Sequence, residues 1–198
     1  MATRKSLMKP EITLNENHRY QVNGRDVDGV TDIIKSAGLM DVGWSSDWHM
    51  ARGKAVHKAI EYYEQGDLDE SRLDPAILPY LAGWKLFRAE TGYESQEHER
   101  MIYHPVYQFC GTLDQIGIMD GQTCLVDIKT GVYQPWWALQ TAAYNSIAKC
   151  RRRLSVQLTD EGKYKVTEHS NKLDFQRFLA AMTVAGMRGE FGMIDKEK

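Results

Sequence analysis

The sequence predicts a mixed α/β fold of the α+β kind, a central mixed β-sheet flanked by helices. Three observations predict it. Strand-like stretches succeed one another over 93–104, 108–119 and 123–129, and Asp120-Gly121 is a hairpin turn signal between the last two. A helical stretch over 135–149 separates these from a further alternating stretch at 154–159. Segments with helical periodicity at 47–65, 75–91 and 175–187 supply outer layers for the sheet.

Each element has a local reason. Residues 1–10 read as a loose tail, 12–29 as a hairpin turning at Asn23-Gly24, and Val30–Ala37 as a short helix ended near Gly38. From Asp47 to Gln65, Ala55, Val56, Ala59, Ile60 and Tyr63 make an apolar stripe at helical spacing, which Gly66-Asp67-Leu68-Asp69 breaks. A second helix spans Pro75–Thr91, before Gly92. After the three strands, Pro135 suits the first turn of the 135–149 helix. Leu154–Thr159 and Tyr164–His169 alternate around Glu161-Gly162 as a second hairpin. Helix Phe175–Met187 closes the chain with Phe178, Leu179 and Met182 turned inward. At 198 residues this is one domain, 1–198, with 1–46 as a hairpin-and-helix appendage and 47–198 as the core.

Hydrophobic content of 42% and charged content of 26% are those of an ordinary globular protein. No apolar run approaches membrane-spanning length, and the first ten residues lack a sustained signal-peptide core. Three cysteines (Cys110, Cys124, Cys150) without C-x-x-C spacing argue for a reducing compartment, so a cytoplasmic, membrane-free protein is expected. Cys110 and Cys124 lie in apolar strand stretches and read as buried hydrophobes.

The chemistry concentrates in the middle of the chain. Gly111-Thr112-Leu113-Asp114 precedes Val126-Asp127-Ile128-Lys129, and residues i and i+2 of a strand share a face, so Asp127 and Lys129 project together. If Asp114 ends or bends its strand, two carboxylates and an ammonium meet at one edge of the hairpin. Neighbouring carboxylates repel, and a divalent cation relieves them. A lysine beside such an ion orients a water and offsets charge on a phosphate. That is the equipment of metal-dependent phosphodiester cleavage. By itself a D-x-K triplet is common and explains nothing.

Two further sets sit at sensible spacings. His57 and Glu61 are an i, i+4 pair on one helix face, and Gln140 and Tyr144 are another on the helix after Lys129. The ordered set G-x-x-x-H, G-x-x-D, V-D-I-K-T-G and Q-x-x-x-Y resembles the RecB-type branch of the PD-(D/E)XK nuclease superfamily, over roughly residues 50–150. It is also similar to phage and mitochondrial exonucleases of that branch, in which a hairpin and a V-T-x-I-L-like helix precede the core. Here His18–Arg25 and Val30–Ile34 are the looser counterparts.

The resemblance implies a restriction-endonuclease-like core and a Mg²⁺-dependent deoxyribonuclease in which Mn²⁺ substitutes. It implies His57, Asp114, Asp127 and the Ile128 carbonyl as metal ligands and Lys129 as the catalytic lysine. Gln140 and Tyr144 would support the site and contact DNA; Arg52, by its charge and its place on the His57 helix, is a further DNA-binding candidate. Glu97 and Glu99 compete for one acidic position before the first core strand, and the sequence leaves that position unassigned. Glu61 reads as solvated. An exonuclease working at DNA ends in phage-type recombination, repair or processing is implied, beside a single-strand annealing or other recombination protein. Relatives with an iron–sulfur cluster use four cysteines, so none is expected here. Rival readings are a structure-specific endonuclease, a catalytically silent DNA-binding or recombination-partner protein on the same fold, a metal-dependent RNase, and an unrelated α+β module.

Net charge −2 and pI 6.3 give no overall basic footprint. Positive charge is local: Lys149 with Arg151, Arg152 and Arg153, and Arg52 with Lys54 and Lys58. Either is a DNA path or a solvated basic face. Of Trp136 and Trp137, one is expected in the core and the other is placed to stack on an unpaired base; core packing is expected for Trp44 and Trp48.

Overall fold

The computed structural model describes residues 10–40 and 47–193. The tail read over 1–10 lies almost wholly outside the described residues, as do Trp44 and the boundary drawn at residue 46. The sheet order follows from strand β6 (Gln122–Lys129), which is buried on both sides. It pairs antiparallel with β5 (Phe109–Met119) and parallel with β7 (Arg152–Leu158). Strand β4 (Glu94–His104) lies outside β5, and β8 (Tyr164–Glu168) lies antiparallel to β7, completing a mixed five-stranded sheet ordered β4-β5-β6-β7-β8. Asp120 (φ 53°) and Gly121 (φ 69°) take the left-handed backbone that a two-residue hairpin turn needs.

Helices cover both faces. On one, α2 (Asp47–Gln65) and α3 (Leu78–Thr91) bury Val56, Ile60, Trp84 and Phe87 against Val126, Ile128, Leu154 and Val156. On the other, α1 (Val30–Ser36), α4 (Trp137–Ala148) and α5 (Asp174–Glu190) bury Ile34, Ala143 and Phe178 against Phe109, Leu113 and Leu125. Alternation along β6 therefore turns Val126 and Ile128 toward α2 and α3, and Leu125, Asp127 and Lys129 toward α4. This is the β-β-β-α-β order and the layered sheet expected from the sequence.

Several boundaries differ. Residues 12–29 contain the expected hairpin, β2 (Tyr20–Val22) and β3 (Arg25–Val27) turning at Asn23-Gly24, with β1 (Ile12–Leu14) added as a third strand. Helix α3 starts at Leu78 with Pro79 in its first turn, because Asp74 accepts the Ala76 N–H and holds 74–77 in a turn. Pro135 precedes α4 in a turn closed by Trp137 N–H to Gln134 O. Helix α1 belongs to the core layer, since Val30, Ile33 and Ile34 are buried with β5 and α5. All three cysteines are free and buried. Among the described residues, no helix is long and apolar enough to cross a membrane.

Beneath α4, the polar side of β7 is fully partnered. Arg153 donates to Asp174 (3.0 Å), and buried Ser155 lies 2.9 Å from His169 Nε2. Burial, helped by the nearby Arg153 cation, lowers the His169 pKa to about 4. The folded protein thus keeps His169 neutral while the unfolded chain takes up a proton below its ordinary 6.5. Stability is lost as pH falls from that value toward 4. Urea unfolding at pH 7 and pH 5 should show the wild type losing roughly 2 kcal/mol more than His169→Gln between the two. Equal losses would mean the ring is protonated in the fold.

Candidate metal centre and its lysine

Two of the hairpin strands part at the centre of the site. The β5–β6 ladder ends at Gln115–Val126, and the Ile128 N–H, two residues beyond, donates to Asp114 Oδ2 at 2.6 Å. Asp114 does not end its strand, as the sequence allowed, for β5 runs on through it to Phe109 beside β4. The Ile128 carbonyl lies 3.1 Å from His57 Nε2 on α2. One peptide residue thus ties the carboxylate of β5 to the imidazole of α2.

His57 Nδ1 faces acids, 3.4 Å from Asp114 Oδ1 and 3.8 Å from Glu99 Oε1. Partial burial opposes a charged imidazole, but Asp114 and Glu99 outweigh it and raise the His57 pKa to about 10. The same partnership, with Lys129 and the Ile128 N–H, holds Asp114 below the usual carboxylate range despite its burial. One ligand atom from each of His57, Glu99 and Asp114 lies within 4.8 Å of the others.

Glu99 is the residue that sequence reasoning left unassigned. An extra residue in β4 between Ser95 and Glu97 shifts the register by one. His98 pairs with Gln115 and Arg100 with Leu113, so Glu99 stands opposite Asp114. Without the shift His98 would stand there. Glu99 also adopts φ 46°, a left-handed backbone uncommon for a residue with a side chain. Glu97 is turned to Arg100 instead.

Asp127 is buried, and its Oδ2 lies 2.8 Å from Lys129 Nζ, yet it accepts no well-aligned hydrogen bond. Burial raises its pKa to about 6 against the pull of Lys129. Lys129 Nζ donates to Gln140 Oε1 at 2.7 Å and sits 5.3 Å from the Trp136 ring. Gln140 Nε2 in turn donates to Tyr144 OH (3.1 Å) and to Thr31 Oγ1 (3.4 Å). Thr31, on α1, is a supporting residue the sequence did not single out; its only signal was the loosely matched Val30-Thr31-Asp32 segment.

The glycine of G-x-x-D now has a reason. A Cβ on Gly111 would sit 2.4 Å from Tyr144 Cε1, so the ring lies directly against the β5 backbone. Gly111, Tyr144, Gln140 and Lys129 form one chain of contacts.

The remaining predicted residues fall outside this chain. Arg52 donates to Thr130 O (3.1 Å) with its guanidinium 4.8 Å from the Trp48 ring and 5.2 Å from that of Tyr80, clamping the loop after Lys129. Trp48, expected in the core, is 59% exposed in the first turn of α2; Trp137 is buried and Trp136 half-buried. Glu61 pairs with Lys58, away from the three-ligand cluster.

No family model and no curated protein matches the chain. Among solved structures, the chain is similar to an alkaline exonuclease of Laribacter hongkongensis, at 15% identity and a TM-score of 0.41 over 81% of this chain and 92% of that one. The same exonuclease in complex with dAMP aligns over 84% of this chain and 94% of that one, at 15% identity and a TM-score of 0.41. A candidate exonuclease of Eubacterium rectale aligns over 87% and 77%, at 10% identity and a TM-score of 0.49.

Gly111→Ala should displace Tyr144 and cost about 1–3 kcal/mol of stability in urea unfolding. Unchanged stability would show that the ring does not rest on this backbone.

Proposed function

We propose that the protein is a metal-dependent nuclease that hydrolyses DNA phosphodiesters, working at ends. The observation that carries the reading is the convergence of His57, Glu99 and Asp114 beside a buried Asp127 whose Oδ2 lacks a hydrogen bond, with Lys129 held next to it. The donor set fits a divalent cation: three carboxylates suit Mg²⁺, and an imidazole adds affinity for Mn²⁺. His57 Nδ1, Glu99 and Asp114 would hold it, with Asp127 adjoining. Such an ion, when bound, supplies Lewis-acid stabilisation of charge on the scissile phosphate.

The chain's own residues do the rest. Ile128, expected as a ligand through its carbonyl, orients the imidazole through that atom and fixes Asp114 through its N–H. Lys129, pinned between Asp127 and Gln140, presents an ammonium of fixed position to the attacking water and to the developing negative charge. Gln140, Tyr144 and Thr31 keep it there and are positioning residues. A cluster of several acids round one lysine is poorly suited to merely holding phosphates, which favours catalysis over a silent binding protein.

The test is digestion of end-labelled linear single-stranded, linear duplex and circular DNA, and of RNA, with Mg²⁺ or Mn²⁺. Linear DNA alone should be digested, and Lys129→Ala, Asp114→Ala and Glu99→Ala should each lower the rate by about 10²–10³-fold. Cutting of circles would make it an endonuclease, and preference for RNA a ribonuclease. Absence of any variant-sensitive cleavage would overturn the reading.

A further inference from the structure

Away from the metal centre, the far end of α4 opens onto a cavity of about 480 Å³. Its walls include Asn145, Ser146, Lys149, Arg151 and Lys172. The flanking Arg152 and Arg153 are already spent. Arg152 is paired with Glu168 at 2.8 Å, and Arg153 with Asp174 at 3.0 Å. Lys149, Arg151 and Lys172 are exposed, and none of the three forms an ion pair among the described residues. Lys149, the C-cap of α4, and Arg151 come from the short connection to β7, and Lys172 comes from the loop before α5. In a chain of net charge −2, three unpaired cations round one concavity make a local positive potential that the overall balance hides.

Lys149 adds an independent observation. It caps α4 in the left-handed conformation, φ 58° and ψ 31°, a position that glycine fills at least strain. A lysine there keeps its side chain at a conformational cost.

We infer that this cavity is a second phosphate-binding subsite, which takes the backbone of the nucleic-acid strand whose other end lies at the metal centre. The inference rests on the nuclease reading for its ligand class. Gln140 and Lys149 are nine residues apart on α4, about 14 Å along its axis. At the ~3.4 Å rise of a strand, that is about four nucleotides at the least, since α5 packs over the middle of the helix. The subsite is therefore an anchor that lengthens the footprint, and its cations touch phosphates rather than bases, so it has no sequence preference.

The experiment is fluorescence anisotropy of labelled single-stranded oligonucleotides across a salt series, with Ca²⁺ replacing Mg²⁺. Wild type is compared with Lys149→Gly and with Lys149→Gly/Arg151→Gln/Lys172→Gln. For strands of about eight nucleotides or more, the triple variant should reduce the slope of log K against log[salt] by about 2–3. Trinucleotides, too short to span both sites, should lose nothing. Lys149→Gly alone should raise Tm by about 2–4 °C while still reducing the slope by about 1, which separates the side chain's binding role from any folding defect. An unchanged slope with long strands overturns the inference. Inorganic phosphate or a mononucleotide that binds the cavity as tightly as a long strand also overturns it, making this a small-anion site. Cleavage that depends on Lys129 while the slope ignores these cations removes the subsite and leaves the nuclease. A cation-dependent slope without metal-dependent cleavage does the reverse.

Discussion

Asp127 is a carboxylate with almost no access to water, on a strand covered by helices on both sides, and the surrounding residues are arranged around that fact. An ionised carboxylate so placed costs several kcal/mol unless it is compensated. Lys129, two residues on and therefore on the same face, brings the opposite charge to 2.8 Å. A buried lysine needs acceptors of its own, which brings in Gln140. Gln140 then needs partners for its amide, which Tyr144 and Thr31 supply. Hydrophobic residues of similar volume would be no less stable at 127 and 129. The polar chain is explained by what it does at the surface end, where it holds one ammonium beside three acids.

The second organising element is backbone. Past Val126 the β5–β6 ladder opens, and the exposed N–H and C=O of Ile128 are used for side chains instead, Asp114 on one side and His57 on the other. Those two side chains face each other because Ile128 fixes both. Their mutual attraction then outweighs partial burial and keeps the imidazole charged and Asp114 ionised. His57, Glu99 and Asp114 are therefore already assembled around one point.

Helix α4 connects these features to the rest of the surface. Its first turns carry Gln140 and Tyr144 to the lysine, while its last turn carries Lys149 to the basic cavity. Its middle is packed between the sheet and α5, so the two ends are held at a fixed separation. The spacing proposed for a bound strand is thus that between Gln140 and Lys149 on one rigid helix.

Much of the site was legible in sequence because the period-2 alternation of a strand and the i, i+4 spacing of a helix determine faces without tertiary information. Asp127 with Lys129 and Gln140 with Tyr144 are of this kind. So are the hairpin at Asp120-Gly121 and the helical run carrying His57. What sequence could not choose was Glu99 over Glu97, since register is set across the sheet: the single extra residue in β4 brings Glu99 opposite Asp114, where His98 would otherwise stand, and a one-residue slip changes every partner. Trp48 was misjudged because hydrophobicity reports a preference for burial but not whether a helix start reaches the core. Likewise Arg52 read as a free cation, and the structure spends it on Thr130 and two aromatic rings. The sequence by itself determined the element types, the order of the sheet's builders and the residue chemistry at its centre, because these depend on local periodicity. Only the tertiary structure decided register, which cations remain unpaired and which backbone groups leave the ladder, because each depends on what packs across from it.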